Sequence, residues 1–106
     1  MTYVELKALF RKHEKQYCKF SKIKNPPFPA PDMCAFVKLL EMFPEHKGDV
    51  VAGVVDDDFI LFPDLDEDEE NFDRFNDENV LYLQRCGVAY DEIDGYLYMV
   101  PMRAKN

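Results

Sequence analysis

A chain of 106 residues that is 47% apolar, with nine Phe and six Tyr, is sized and composed for one acidic globular domain over residues 1–106. Its formal charge of −8 argues against nucleic acid as a direct ligand, because phosphate binding needs a basic footprint. No apolar run approaches the ~20 residues of a membrane span, so the chain is read as soluble, with no membrane partner.

The first residues, MTYVELKALFRKHEK, lack the apolar segment and small-residue cleavage site of a secretory signal. Cys18, Cys34 and Cys86 are odd in number and far apart, which fits reduced thiols and a cytoplasmic protein. Thr2 and Glu5 have the spacing of a capping box. Leu6, Leu9, Phe10, His13, Tyr17 and Phe20 then recur at helical spacing, with Lys7, Arg11, Lys15, Lys19 and Lys22 on the other side. The pattern predicts one helix over about Tyr3–Lys22, apolar on one face and basic on the other. Residues 1–25 carry a net charge of +5, read as a solvated face on a core-packed helix.

Four prolines between Asn25 and Pro31 forbid a helix and predict an extended connector. Pro26 and Pro29 make a minimal PxxP, without flanks that would mark it as a ligand. Pro31 and Asp32 suit the first turn of a second helix, with Met33, Phe36, Val37, Leu40 and Phe43 on its buried face. Pro44 and Gly48 end it. Asp49–Val55 and Phe59–Phe62 read as strands around an Asp56-Asp57-Asp58 turn. The second is apolar throughout, which predicts burial on both faces. Phe72 and Phe75 mark a short helical turn. Asn76 or Asp77 caps a further helix to Arg85, and Gly87 stops it. Val88–Tyr90 and Tyr96–Val100 close the chain as a second hairpin. The expected fold is α+β: about four antiparallel strands in two hairpins, packed against two N-terminal helices, with short helices between the hairpins.

Catalytic and metal signatures are missing from the sequence. Ser21 and Thr2 are the only aliphatic hydroxyls, and Thr2 is explained as a cap. His13 reads as a core or boundary residue, and His46 as exposed. No zinc spacing, phosphate-binding loop or dinucleotide fingerprint occurs. Asp64, Asp66 and Asp68 match positions 1, 3 and 5 of an EF-hand loop, but Glu69 and Phe75 fall where Gly and a bidentate Glu are required. The expectation is therefore a non-enzyme with no cofactor, no metal site and no catalytic residues.

The charge sets the functional expectation. Residues 56–78 hold twelve carboxylates and one cation, Arg74, a net of −11, which leaves +3 for the rest of the chain. This predicts a protein-binding module that faces a basic partner. Its carboxylates would stand in for phosphate and block a nuclease or another nucleic-acid-handling protein, as an immunity protein or a phage anti-defence protein does. The expected contact residues are Asp64, Asp66, Glu67, Asp68, Glu69, Glu70, Phe72, Asp73 and Phe75, with Tyr82 as a further aromatic anchor. The alternative is an ordinary adaptor domain with a solvated acidic loop, and a metal-dependent enzyme ranks below both. An exposed strand edge also leaves room for a homodimer. With both hairpin tips side by side, six carboxylates would sit at each end of the sheet: Asp56, Asp57, Asp58, Asp91, Glu92 and Asp94 at one, and Asp64, Asp66, Glu67, Asp68, Glu69 and Glu70 at the other.

Overall fold

Thr2 and Glu5 form the expected capping box. The Thr2 hydroxyl accepts from the Glu5 amide at 3.2 Å, and the Glu5 carboxylate accepts from the Thr2 amide at 2.9 Å. The helix they open, α1 (Tyr3–Lys12), buries Leu6 and Phe10. It does not continue to Lys22. In the computed structural model, which describes residues 1–63, 65 and 69–100, the chain turns instead through two short 3-10 segments, Glu14–Gln16 and Phe20–Lys22. The cause lies far away in sequence. The Phe10 carbonyl, which a continuing helix would pair with the Glu14 amide, accepts from Gln84 Nε2 at 3.0 Å. Cys18 adopts a left-handed φ of 61° and donates its N–H to the Gln84 carbonyl at 2.9 Å.

The proline segment carries no helix, and α2 (Pro31–Met42) begins on Pro31. Its buried residues are Cys34, Ala35 and Leu39, with Phe43 just beyond. Met33 and Leu40, expected on the buried face, are 43% and 39% exposed. Only Asp32, Lys38 and Glu41 are charged in this helix, so its pattern has too little polar contrast to fix which side turns inward. Asn76 caps α3 (Asp77–Arg85) by accepting from the Asn79 amide at 2.8 Å, and Gly87, at φ 94°, takes the left-handed position after the helix.

Four strands, β1 (Val51–Val55), β2 (Asp58–Leu61), β3 (Val88–Asp91) and β4 (Tyr96–Met99), form one antiparallel sheet in the order β1-β2-β4-β3. The helices pack against it, and the fold is α+β as expected. Leu61, Val88, Tyr90, Leu97 and Met99 are buried with Leu6, Leu39, Val80 and Leu83 in the core. Phe59 and Ile60 are only half-buried, so β2 is not enclosed on both faces. Its apolar run reflects one covered face and one flanked by the tyrosines of β4.

The two hairpin tips do not lie side by side. Phe59 pairs with Met99 and Ile60 with Tyr98, so β2 and β4 run in opposite directions. The Asp56-Asp57 turn therefore sits at the Val100 end of the sheet. The turn carrying Glu92 and Asp94 sits at the other end, where β2 runs out into Pro63. Asp56 and Asp57 both hold positive φ, 51° and 70°, as a two-residue type I′ hairpin requires.

Two stability tests follow. Gln84→Met keeps the side-chain volume but leaves the buried Phe10 carbonyl without its donor. Urea melts should show a loss of about 1–3 kcal/mol. Asp57→Gly relieves a left-handed L-residue in the turn and should raise stability by up to about 1 kcal/mol, read as a Tm increase of roughly 4–8 °C per kcal/mol.

Candidate interaction surface

The acidic stretch is held to the body by apolar residues at both ends. Pro63 and Leu65 are buried before it, and Phe72 is buried after it in the 3-10 helix Glu69–Arg74, followed by Phe75. Asp64, Asp66, Glu67 and Asp68 lie outside the described residues. Glu69 opens the 3-10 helix, and Glu70 and Asp73 are exposed on it. Phe72 and Phe75, each 2% exposed, cannot serve as contacts to a partner. They are core anchors, with the Phe75 ring 6.1 Å from both Phe10 and Phe43. Tyr82 is half-buried, and the Lys38 ammonium lies 5.3 Å from its ring centroid, so it too is engaged within the fold. Leu65 is the residue that sequence reasoning passed over. Its signal was a single apolar side chain among carboxylates.

Arg74, the one cation in residues 56–78, is held at the C-terminal end of α2. It pairs with the Glu45 carboxylate at 2.6 Å, donates to the Met42 carbonyl at 2.9 Å and lies 4.8 Å from the Phe43 ring centroid. The Arg74 guanidinium holds the Glu45 carboxyl below the usual carboxylate range. Arg74 thus closes the C-terminal end of α2. Asp73 pairs with the α-ammonium of Met1. Among the described residues Asp56, Asp57, Asp58 and Glu78 form no ion pair.

A second acidic feature is an open groove of 1080 Å³ between α1 and the uncovered side of β3 and β4. Arg11, Glu14, Tyr17, Asp58, Glu92 and Tyr98 are among the residues that line it. The Tyr17 phenol is pushed up to about 12, first by burial and then by Cys18, Tyr98 and Asp58, so it stays a neutral donor. At the groove's end Arg11 grips the Glu92 carboxylate at 2.6 and 2.8 Å, and Tyr3 Oη donates to the Glu92 carbonyl at 2.6 Å. These contacts fasten α1 to the β3–β4 turn.

The groups with chemical potential are occupied elsewhere. Cys34 is buried and its Sγ contacts the Phe28 carbonyl at 3.2 Å, while burial pushes the Cys86 thiol up to about 12. Neither is a ready nucleophile. His13 Nε2 and Lys12 Nζ share Asp77 Oδ1, at 2.9 and 2.7 Å. His46, expected to be exposed, is half-buried: its ring stacks on Phe62 at 3.7 Å and its Nε2 reaches the Asp49 carbonyl at 3.0 Å. Among the described residues no three His, Cys, Asp or Glu side chains are gathered as metal ligands. Nor is any helix among them long and apolar enough to cross a membrane.

No protein-family model matches the chain, and neither does any curated protein or solved structure.

The Arg11–Glu92 clamp has a pH signature. Arg11 holds the Glu92 carboxyl below its ordinary value of 4.5, so the clamp's contribution is present above that value and lost as pH falls through the lower, folded-state one. Glu92→Gln should therefore lower stability at neutral pH. The gap between the two proteins should close on acidification, as followed by urea melts from neutral pH down through the carboxylate range.

Proposed function

We propose that this protein is a small acidic binding module that acts by occupying a basic partner, not by catalysis. The partner class that suits it best is a nuclease or other nucleic-acid-handling protein, whose phosphate-binding surface would meet the carboxylates of residues 64–73. An inhibitor of the immunity or anti-defence type works in this way, in a reducing cytoplasm where its three free thiols remain reduced. The carrying observation is that Arg74, the single cation within residues 56–78 against twelve carboxylates, pairs with Glu45 outside that stretch and caps the end of α2. A charge of −8 on a protein this small would steer a basic partner into encounter, raising association rates ~10–10³-fold at low salt.

The buried anchors alter which residues carry the contact. Phe72 and Phe75 hold the stretch in place from beneath, so the contact with the partner is made by Glu70, Asp73 and the carboxylates before them. The expected recognition is mainly electrostatic, with strong dependence on salt.

Reversal of Asp66, Glu67, Asp68, Glu69 and Glu70 to Lys tests the reading against basic partners recovered at low salt. Association, followed by stopped-flow or surface plasmon resonance, should slow by roughly ten- to a thousandfold in the reversed variant and on raising salt. Inhibition of DNA cleavage by a recovered nuclease should disappear in parallel. Tight binding that is indifferent to the reversal would remove the charge-mimic reading.

A further inference from the structure

The two edges of the sheet are finished differently. β3, at one edge, ends in Asp91 and lies beside α1, with the following turn clamped by Tyr3 and Arg11 through Glu92. β1, at the other edge, has the sequence Val-Ala-Gly-Val-Val, without charge or proline. Val54 is 62% exposed and Val55 49%. Among the described residues no strand lies beyond it. Val55 and Asp58 flank the two-residue turn and therefore exchange ladder bonds. The next pair, Val54 and Phe59, does not, so the Val54 N–H and C=O point out of the sheet. Natural edges are usually blunted by charge, proline or distortion. β1 carries only one irregularity, between Val51 and Gly53.

Charge selects the occupant. Asp56, Asp57 and Asp58 stand at one end of this edge, and among the described residues none has an ion-pair partner. A second copy brings the same −8 and the same acidic turn. Two chains of like net charge repel on approach. A cationic strand meets the opposite situation at the same turn.

We infer that β1 accepts an extended segment of a basic protein as a fifth strand of the sheet. Apolar side chains of the incoming segment lie along Val54 and Val55, and its Lys or Arg residues meet Asp56–Asp58. This surface extends the reading above to the opposite end of the molecule and does not depend on residues 64–73.

The probe is a capped nine-residue peptide, two lysines followed by alternating valine and threonine, titrated into isotope-labelled protein. The Val54 amide should shift and its hydrogen exchange slow by about tenfold or more on saturation. Val54→Pro removes only an outward donor, so the ladder is retained and circular dichroism should match the parent. Peptide affinity should fall by about tenfold in this variant and several-fold in Asp56→Asn/Asp57→Asn, which carries the test on its own if the proline variant does not fold. Reversal of Glu69, Glu70 and Asp73 to Lys should leave the affinity within about twofold, because these residues lie away from the turn. The inference is overturned if the peptide fails to bind at millimolar concentration, or if a peptide with glutamates in place of lysines binds equally. It is overturned too if Val54→Pro folds and binds unchanged, if the Glu69, Glu70 and Asp73 reversal abolishes binding, or if sedimentation finds a dimer that Val54→Pro dissociates.

Discussion

Gln84 couples the N-terminal segment to the last helix. Its side chain donates to the Phe10 carbonyl and its own carbonyl accepts from Cys18, so a single residue on α3 both ends α1 and sets the turn after it. It is buried at 4% exposure, where an unpaired amide or carbonyl would be costly. The polar contacts of Lys12 and His13 with Asp77 lie nearer the surface, while the other contacts in the interior between these regions are apolar and without direction, Leu6 and Phe10 clustering with Val80 and Leu83. Packing of that kind tolerates sliding by a fraction of a turn, whereas two hydrogen bonds to one residue do not. With α1 held in this register, Arg11 and Tyr3 reach Glu92, and the β3–β4 turn is tied down in its place.

How far the sequence could be read depended on the range of the signal. The Thr2–Glu5 box, the proline connector, the Asn76 cap and Gly87 all act within a few residues, and each was legible in both place and effect. The end of α1 was not, because its determinant is Gln84, far along the chain and unmarked by any local breaker. The inward side of α2 was equally hidden, since an almost wholly apolar helix presents several faces of similar merit. The burial of β2 was not visible, since its apolar run reads as enclosed on both faces, but the strand–turn–strand order of each hairpin was visible. The antiparallel pairing of β2 with β4 was not, and it is this pairing that places the two acidic turns at opposite ends of the sheet.

The same distinction governs the interaction surface. The carboxylates were obvious from composition, but the pairing of Arg74 with Glu45 at the end of α2 was not. The spacing of Phe72 and Phe75 signalled that they share a side, and the choice between core and partner was made by the core that buries both, with Phe10 and Phe43 beside the Phe75 ring. Aromatic residues beside a charge cluster are ambiguous in this way whenever the cluster must also be attached to a core. The arrangement that results is a charged run whose apolar flanks are spent inward, so its outward chemistry is almost entirely electrostatic.

The placement of the three thiols makes the molecule its own reporter of opening. Cys18 is exposed, whereas Cys34 and Cys86 are fully buried on α2 and just beyond α3. A thiol reagent meets the first in the folded protein and the other two only when the core parts. The slow phase of labelling then measures how often α2 and α3 separate, with the fast phase as an internal standard. Because the buried pair bridges the two helices that enclose the core, that clock reads the cooperative opening of the domain rather than fraying at its ends.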